Sequence, residues 1–180
     1  ALVLALTSLM VAVFAARDVF LFYVLFEVML IPVYFLIGMF GGENRRSAAV
    51  KFLVYSLAGG LVMLVGVVVL YLHGPRGEQG FLIENLAGVV TDPMAQRWLF
   101  VAFFLAFAVK APMWPVHTWL PDATAQATPG TSTLLVGVLD KVGTFGMLAL
   151  CLPLFPEAAR WAAPGIIVLA LISIIYGALV

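Results

Sequence analysis

The sequence predicts an all-α protein, a polytopic bundle of transmembrane helices in which one helix is broken by proline. Three observations predict it. The 180 residues are 64% hydrophobic and only 10% charged, against roughly 25% charged in soluble domains. The apolar residues fall in long runs, and about 20 of them in a row cross a bilayer. One run, "FAVKAPMWPVHTWLPD" from Phe107 to Asp122, holds Lys110, Pro112, Pro115 and His117, each a poor fit to an ordinary membrane helix. Only helices and closed barrels satisfy their backbone in lipid, and runs this long are helical.

The elements follow in order along a single membrane domain. A partial span over 1–16 is closed by Arg17 and Asp18, and a second span over 19–40 stops at Gly41-Gly42. The third covers 46–73, and a polar stretch over 74–96 follows. The fourth covers about 97–127, broken near 110–115. The fifth covers 131–152, where Thr131 or Ser132 can cap the helix just past the Pro129-Gly130 turn. The sixth starts near Pro164 and runs to Val180. Both ends fall inside apolar runs, so the chain reads as a piece of a larger polytopic protein. Its start lacks the basic n-region and cleavage site of a signal peptide.

Composition excludes several functions. Net charge is zero and the basic residues are scattered, which gives nucleic acid no footprint. A single cysteine, Cys151, rules out an internal disulfide, a CxxC pair and a cysteine-held iron–sulfur cluster; it reads as a packing residue. No dinucleotide fingerprint or phosphate loop is present. Loop arginines at one face (Arg17, Arg76, Arg97, Arg160) outnumber Arg45 and Arg46 at the other, which by count alone makes the first face cytoplasmic.

Depth sorts the charges. Glu27, Lys110, Asp140 and Lys141 lie well inside apolar runs, and Lys51 lies near the start of the third helix, where it can also snorkel to the interface. A charge at the bilayer centre costs about 2.5–3.5 kcal/mol on insertion scales, and such residues mark ion or proton pathways or pair to hold helices together. Two acids and two lysines exceed what one structural pair requires. Arginine stays protonated wherever it sits, whereas a desolvated lysine can release its proton, so lysine at both deep cationic positions fits proton handling.

Proline explains the motif. Pro112, Pro115 and Pro121 withhold the N–H groups that the carbonyls of Ala108, Ala111 and His117 would receive, and Pro32 does the same to Val28 beside Glu27. Freed carbonyls at membrane depth need protein or a water-filled cavity. Broken helices of this kind build ion sites in transporters. Lys110 stands at the start of the break, where its ammonium could find backbone oxygens, and His117 follows as a candidate relay. Trp114 and Trp119 read as packing or interfacial residues. Asp140 and Lys141 are neighbours and point about 100° apart on a helix. Gly137, Gly143 and Gly146 would let helices approach closely.

The stretches "FYVLFEVMLIPVYFLIGMFGG", "AAVKFLVYSLAGGLVML", "FAVKAPMWPVHTWLPDA" and "GVLDKVGTFGMLALCLPLFPEA" together resemble the antiporter-like membrane subunits of respiratory complex I, over nearly the whole chain. The resemblance implies a bundle built from inverted repeats, of which this chain would be the first. It implies proton translocation through Glu/Lys/His half-channels, driven by distant NADH–quinone chemistry. In that pattern Glu27 is the glutamate paired with Lys110, His117 the bridging histidine and Lys141 the central lysine, while Lys51 matches a lysine of less defined role. FMN, iron–sulfur clusters and quinone would belong to other subunits, with no cofactor in this chain. Neighbouring antiporter-like subunits and the bilayer would be its partners, in a bacterial plasma membrane. The Arg45–Arg46 loop would be cytoplasmic, against the arginine count. Two positions depart from the pattern: Asp140 stands where an apolar residue is common, and Thr124 where many members have histidine. The alternatives are a subunit of a multisubunit cation/proton antiporter, a hydrogenase-linked or F420-linked relative, and a membrane scaffold whose charges are only structural pairs.

Overall fold

A computed structural model describes residues 1–77 and 79–179; Val180, where the sixth expected span ends, lies outside the described residues. All regular elements among them are helical, apart from an isolated bridge between Asp18 and Leu82. Among the described residues, five helices are long and apolar enough to cross a membrane.

Helix α1 spans Leu2–Ala15. Asp18 then caps α2, Val19–Val28, by accepting the Leu21 N–H at 2.7 Å. With α3, Leu30–Phe40, α2 makes one 22-residue span interrupted at Met29. Pro32 accounts for the interruption, since Val28's carbonyl is left without its helical donor. Helix α4 runs Arg45–His73, about 43 Å at 1.5 Å per residue. A one-turn helix, α5 (Ile83–Leu86), sits in the polar stretch. That stretch is tied to the α1–α2 turn by Val19 N–H to Phe81 O at 2.8 Å, Ile83 N–H to Arg17 O at 3.1 Å and an Arg17–Glu84 ion pair.

Three helices start earlier than expected, each at a proline. Helix α6 runs Pro93–Lys110, not from Arg97: Asp92 caps it through Ala95 N–H at 2.7 Å. After the break comes α7, Trp119–Gln126. Helix α8 runs Pro129–Leu154; neither Thr131 nor Ser132 caps it, and the Thr131 hydroxyl instead meets that of Thr128 at 2.9 Å. Helix α9 runs Pro156–Leu179 with Pro164 inside it. The first turn of a helix has surplus N–H groups, so a residue lacking one fits there without cost.

Helix α4 packs on α3, α6 and α7, and α6 packs on α8 and α9. The core is aromatic: Phe107 of α6 meets Phe22 and Phe26 of α2 edge-on at 5.9 and 5.8 Å. Buried Gln96 fastens α9, accepting the Ala158 N–H at 2.9 Å while donating to Val90 O at 3.1 Å. Cys151 is buried in the core, as a packing residue would be. Gly143 and Gly146 do allow α8 to press on α6, whereas Gly137 borders open space.

Candidate functional site

The middle of α4 sets the level of the site. A Cβ on Gly60 would overlap the carboxylate of Glu27, and one on Gly59 would stand 3.2 Å from Ala106 Cα and 3.5 Å from Val109 Cβ. Glu27 of α2 and the end of α6 at Lys110 therefore meet α4 half-way along its length. Helix α8 joins at its own middle, where a Cβ on Gly143 would lie 2.7 Å from Ala111 N and 2.8 Å from Phe107 O. Asp140 is one turn from that contact. Ser56, one turn from Gly60 on α4, is buried with an unpartnered hydroxyl.

Lys110 is only 1% exposed, and its Nζ has no hydrogen-bond partner among the described residues. It lies over aromatic faces, 4.6 Å from the Phe26 ring centre and 5.8 Å from that of Phe52. Such faces attract a cation. The charges of Glu27 and Asp140 both act on it, yet neither carboxylate forms an ion pair with it, and Glu27 Oε1 and Asp140 Oδ1 are likewise buried and unpartnered. In a low-dielectric interior, unpaired charged groups respond strongly to small displacements of charge.

The break runs from Ala111 to Thr118, and it corrects one expectation. The Ala108 carbonyl freed by Pro112 is taken by Met113 N–H at 2.9 Å, and that of His117, freed by Pro121, by Leu120 N–H at 3.0 Å. Val109 O receives Trp119 Nε1–H at 2.8 Å. Of the three carbonyls the prolines free in this segment, that of Ala111 stays without a donor among the described residues. Two of the three freed carbonyls are thus satisfied by nearby backbone, and Lys110 Nζ takes none of these oxygens. Trp119 packs, fully buried, against Phe52.

The remaining candidates are placed elsewhere. His117 faces α9: its ring is 5.0 Å from that of Tyr176, and it lines a cavity of about 240 Å³ with Pro112, Trp114, Pro121, Ser173 and Tyr176. Its Nδ1 is buried without a partner. Lys141 is exposed, on a different side of α8 from buried Asp140, in keeping with adjacent helical positions. Lys51 does not snorkel alone; it pairs with Asp122 of α7 at 2.7 Å, and nearby the Thr118 hydroxyl donates to Tyr55 OH at 2.9 Å. Asp122 escaped the sequence reading, although its place four residues from the break, after three prolines, was the available signal. The Thr124 hydroxyl donates locally to Leu120 O.

These features define a multi-pass helical membrane protein whose broken helix gathers buried ionisable groups at mid-span. The chain belongs to the family described as NADH:quinone oxidoreductase/Mrp antiporter, TM, which matches residues 16–180. It is 51% identical over 188 residues to NADH-quinone oxidoreductase subunit M of Mycobacterium tuberculosis, covering 100% of this chain and 34% of that protein. It is 41% identical to NAD(P)H-quinone oxidoreductase chain 4 of Gloeobacter violaceus, again covering 34% of the relative. The chain thus spans about a third of the length of these curated relatives. Among solved structures, respiratory complex I from Thermus thermophilus with bound NADH superposes with a TM-score of 0.90 at 39% identity, over 98% of this chain and 38% of that one. The archaeal membrane-bound sulfane sulfur reductase superposes with a TM-score of 0.67 at 28% identity, over 83% of this chain and 24% of that one.

Proposed function

We propose that the chain is part of a proton-translocating subunit of a bacterial NADH-quinone oxidoreductase, moving protons across the plasma membrane while redox chemistry proceeds on other subunits. The observation that carries this is Lys110: fully buried at mid-span, unbonded, and acted on by acids from two helices. A lysine placed only to hold helices would be closed onto a carboxylate, because an uncompensated buried charge is destabilising. Glu27 modulates the charge on Lys110, and Lys141 carries the proton on toward the rest of the protein. His117 and Lys51 serve the path with less direct geometry, since His117 faces α9 and Lys51 is already paired. FMN, iron–sulfur clusters and quinone would sit on partner subunits, and neighbouring antiporter-like subunits would flank this one.

The test uses the intact parent complex in sealed vesicles, comparing NADH-driven quinone reduction and proton uptake in wild type and Lys110→Ala after assembly is verified. Loss of uptake with assembly intact is the expected result. Uptake and turnover at wild-type rates would leave Lys110 a structural residue and remove the proposal.

A further inference from the structure

Asp140 is the ionisable group that departs from the pattern the rest of the chain resembles, and its surroundings give it a task. It opens the α-helical segment Asp140–Gly146, which two π-helical stretches, Leu135–Leu139 and Met147–Cys151, enclose within α8. Such widened turns redirect the side chains beside them and are frequent at functional sites. Here the outcome is a carboxylate only 9% exposed, with Oδ1 bonded to nothing among the described residues, beside an exposed Lys141. One turn further, Gly143 rests on the backbone of Phe107 and Ala111, which bracket Lys110. The charges of Lys110 and Lys141 both reach Asp140, and those of Glu27 and Asp140 both reach Lys110.

A buried acid that served only to join helices would be hydrogen-bonded. Asp140 Oδ1 and Lys110 Nζ are instead each buried without a partner, on helices that touch at Gly143. Glu27 approaches from α2 and Asp140 from α8, so the lysine has one carboxylate on each of two separate helices.

We propose that Asp140 is a second proton-exchanging partner of Lys110, accepting its proton on the α8 side and handing it toward Lys141. This rests on the function proposed above. In the transfer, an Nζ–H bond of Lys110 breaks and an O–H bond forms on Asp140; ammonium and carboxylate are neutralised together, and no electron moves. The flexible four-carbon stem of lysine lets the ammonium swing across the gap. In the onward step the O–H bond of Asp140 breaks as an N–H bond forms on the neutral amine of Lys141, and Asp140 regains its charge.

The experiment compares Asp140→Asn, Asp140→Glu and Lys110→Ala in the assembled parent complex, reading proton uptake and the infrared C=O band of protonated aspartic acid during turnover, with isotopically labelled aspartate. Removing a positioned proton-transfer group costs about 10²–10⁴-fold. Asp140→Asn should therefore slow uptake by at least about 10²-fold and lose the band, while Asp140→Glu, which keeps a carboxyl, retains uptake. Wild-type uptake in Asp140→Asn, or an unchanged band, overturns the inference. If Lys110→Ala fails while Asp140→Asn pumps, only the role of Asp140 falls; if Lys110→Ala also pumps normally, the proposed function falls with it. Should Asp140→Asn not assemble, labelled wild type decides: an aspartic-acid band during turnover supports the transfer, and its absence overturns it.

Discussion

Adding one methyl group at Gly60 tests whether the position of Glu27 matters more than its presence. The new Cβ of Gly60→Ala would overlap Glu27 Oε1 and stand 2.5 Å from its Cδ and 2.9 Å from Oε2. All three atoms belong to the far end of a flexible side chain, so the acid can rotate away. An off-rotamer torsion costs about 0.5–1.5 kcal/mol, and replacing a mid-helix glycine with alanine returns about 0.5–1 kcal/mol. The two nearly cancel, and the complex should melt within about 1 kcal/mol of wild type. Function should not be spared. The carboxylate must move by roughly an ångström, and misplacements of that size cost up to about 10²-fold in rate. The assay is proton uptake in vesicles alongside the apparent melting temperature of the solubilised complex. Full uptake in an assembled Gly60→Ala complex would show that the acid's position is unimportant. Destabilisation by more than about 3 kcal/mol would show instead that the carboxylate cannot yield.

Three further outcomes follow from the packing. Gly143→Ala should destabilise by about 1–3 kcal/mol, because its Cβ would strike backbone atoms, Ala111 N and Phe107 O, that cannot rotate aside; a melting scan reads this. Trp119→Phe keeps a ring against Phe52 but strips the donor from buried Val109 O, a loss of about 1–3 kcal/mol visible as lowered thermal stability and faster hydrogen exchange in the break. Lys51→Met should cost no more than about 1 kcal/mol, since the Lys51–Asp122 pair is 34% and 54% exposed; a melting scan at low salt detects it, and high salt should shrink the difference.

Hydropathy made the long spans legible, and the proline cluster made the break at Ala111–Thr118 legible, because both are properties of the chain alone. Helix starts were misplaced for a single reason. Pro93, Pro129 and Pro156 each begin a helix, and proline ends a helix in its interior but suits its first turn. Glu27 and Lys110 stood out through depth, yet that they remain unpaired depends on Gly59, Gly60 and Gly143 setting four helices at fixed distances. The orientation of His117 toward Tyr176 and the pairing of Lys51 with Asp122 are tertiary facts between residues distant in sequence. The π-helical stretches of α8 left no mark in composition.

The break in the fourth span is well fastened. Ala111 N–H to Phe107 O at 2.7 Å, Met113 N–H to Ala108 O, Val116 N–H to Met113 O and the Trp119 indole to Val109 O knit it to itself, and Trp114 N–H reaches Ser173 Oγ of α9 at 2.9 Å. A segment so cross-braced is a poor hinge. Rearranging it would mean opening several bonds at once, whereas a side chain reorients in picoseconds to nanoseconds when free, far faster than the microseconds to milliseconds of collective backbone motions. Charge movement through this region would then be timed by the swing of individual side chains over a stationary frame, and the slow step of the cycle would have to originate outside it.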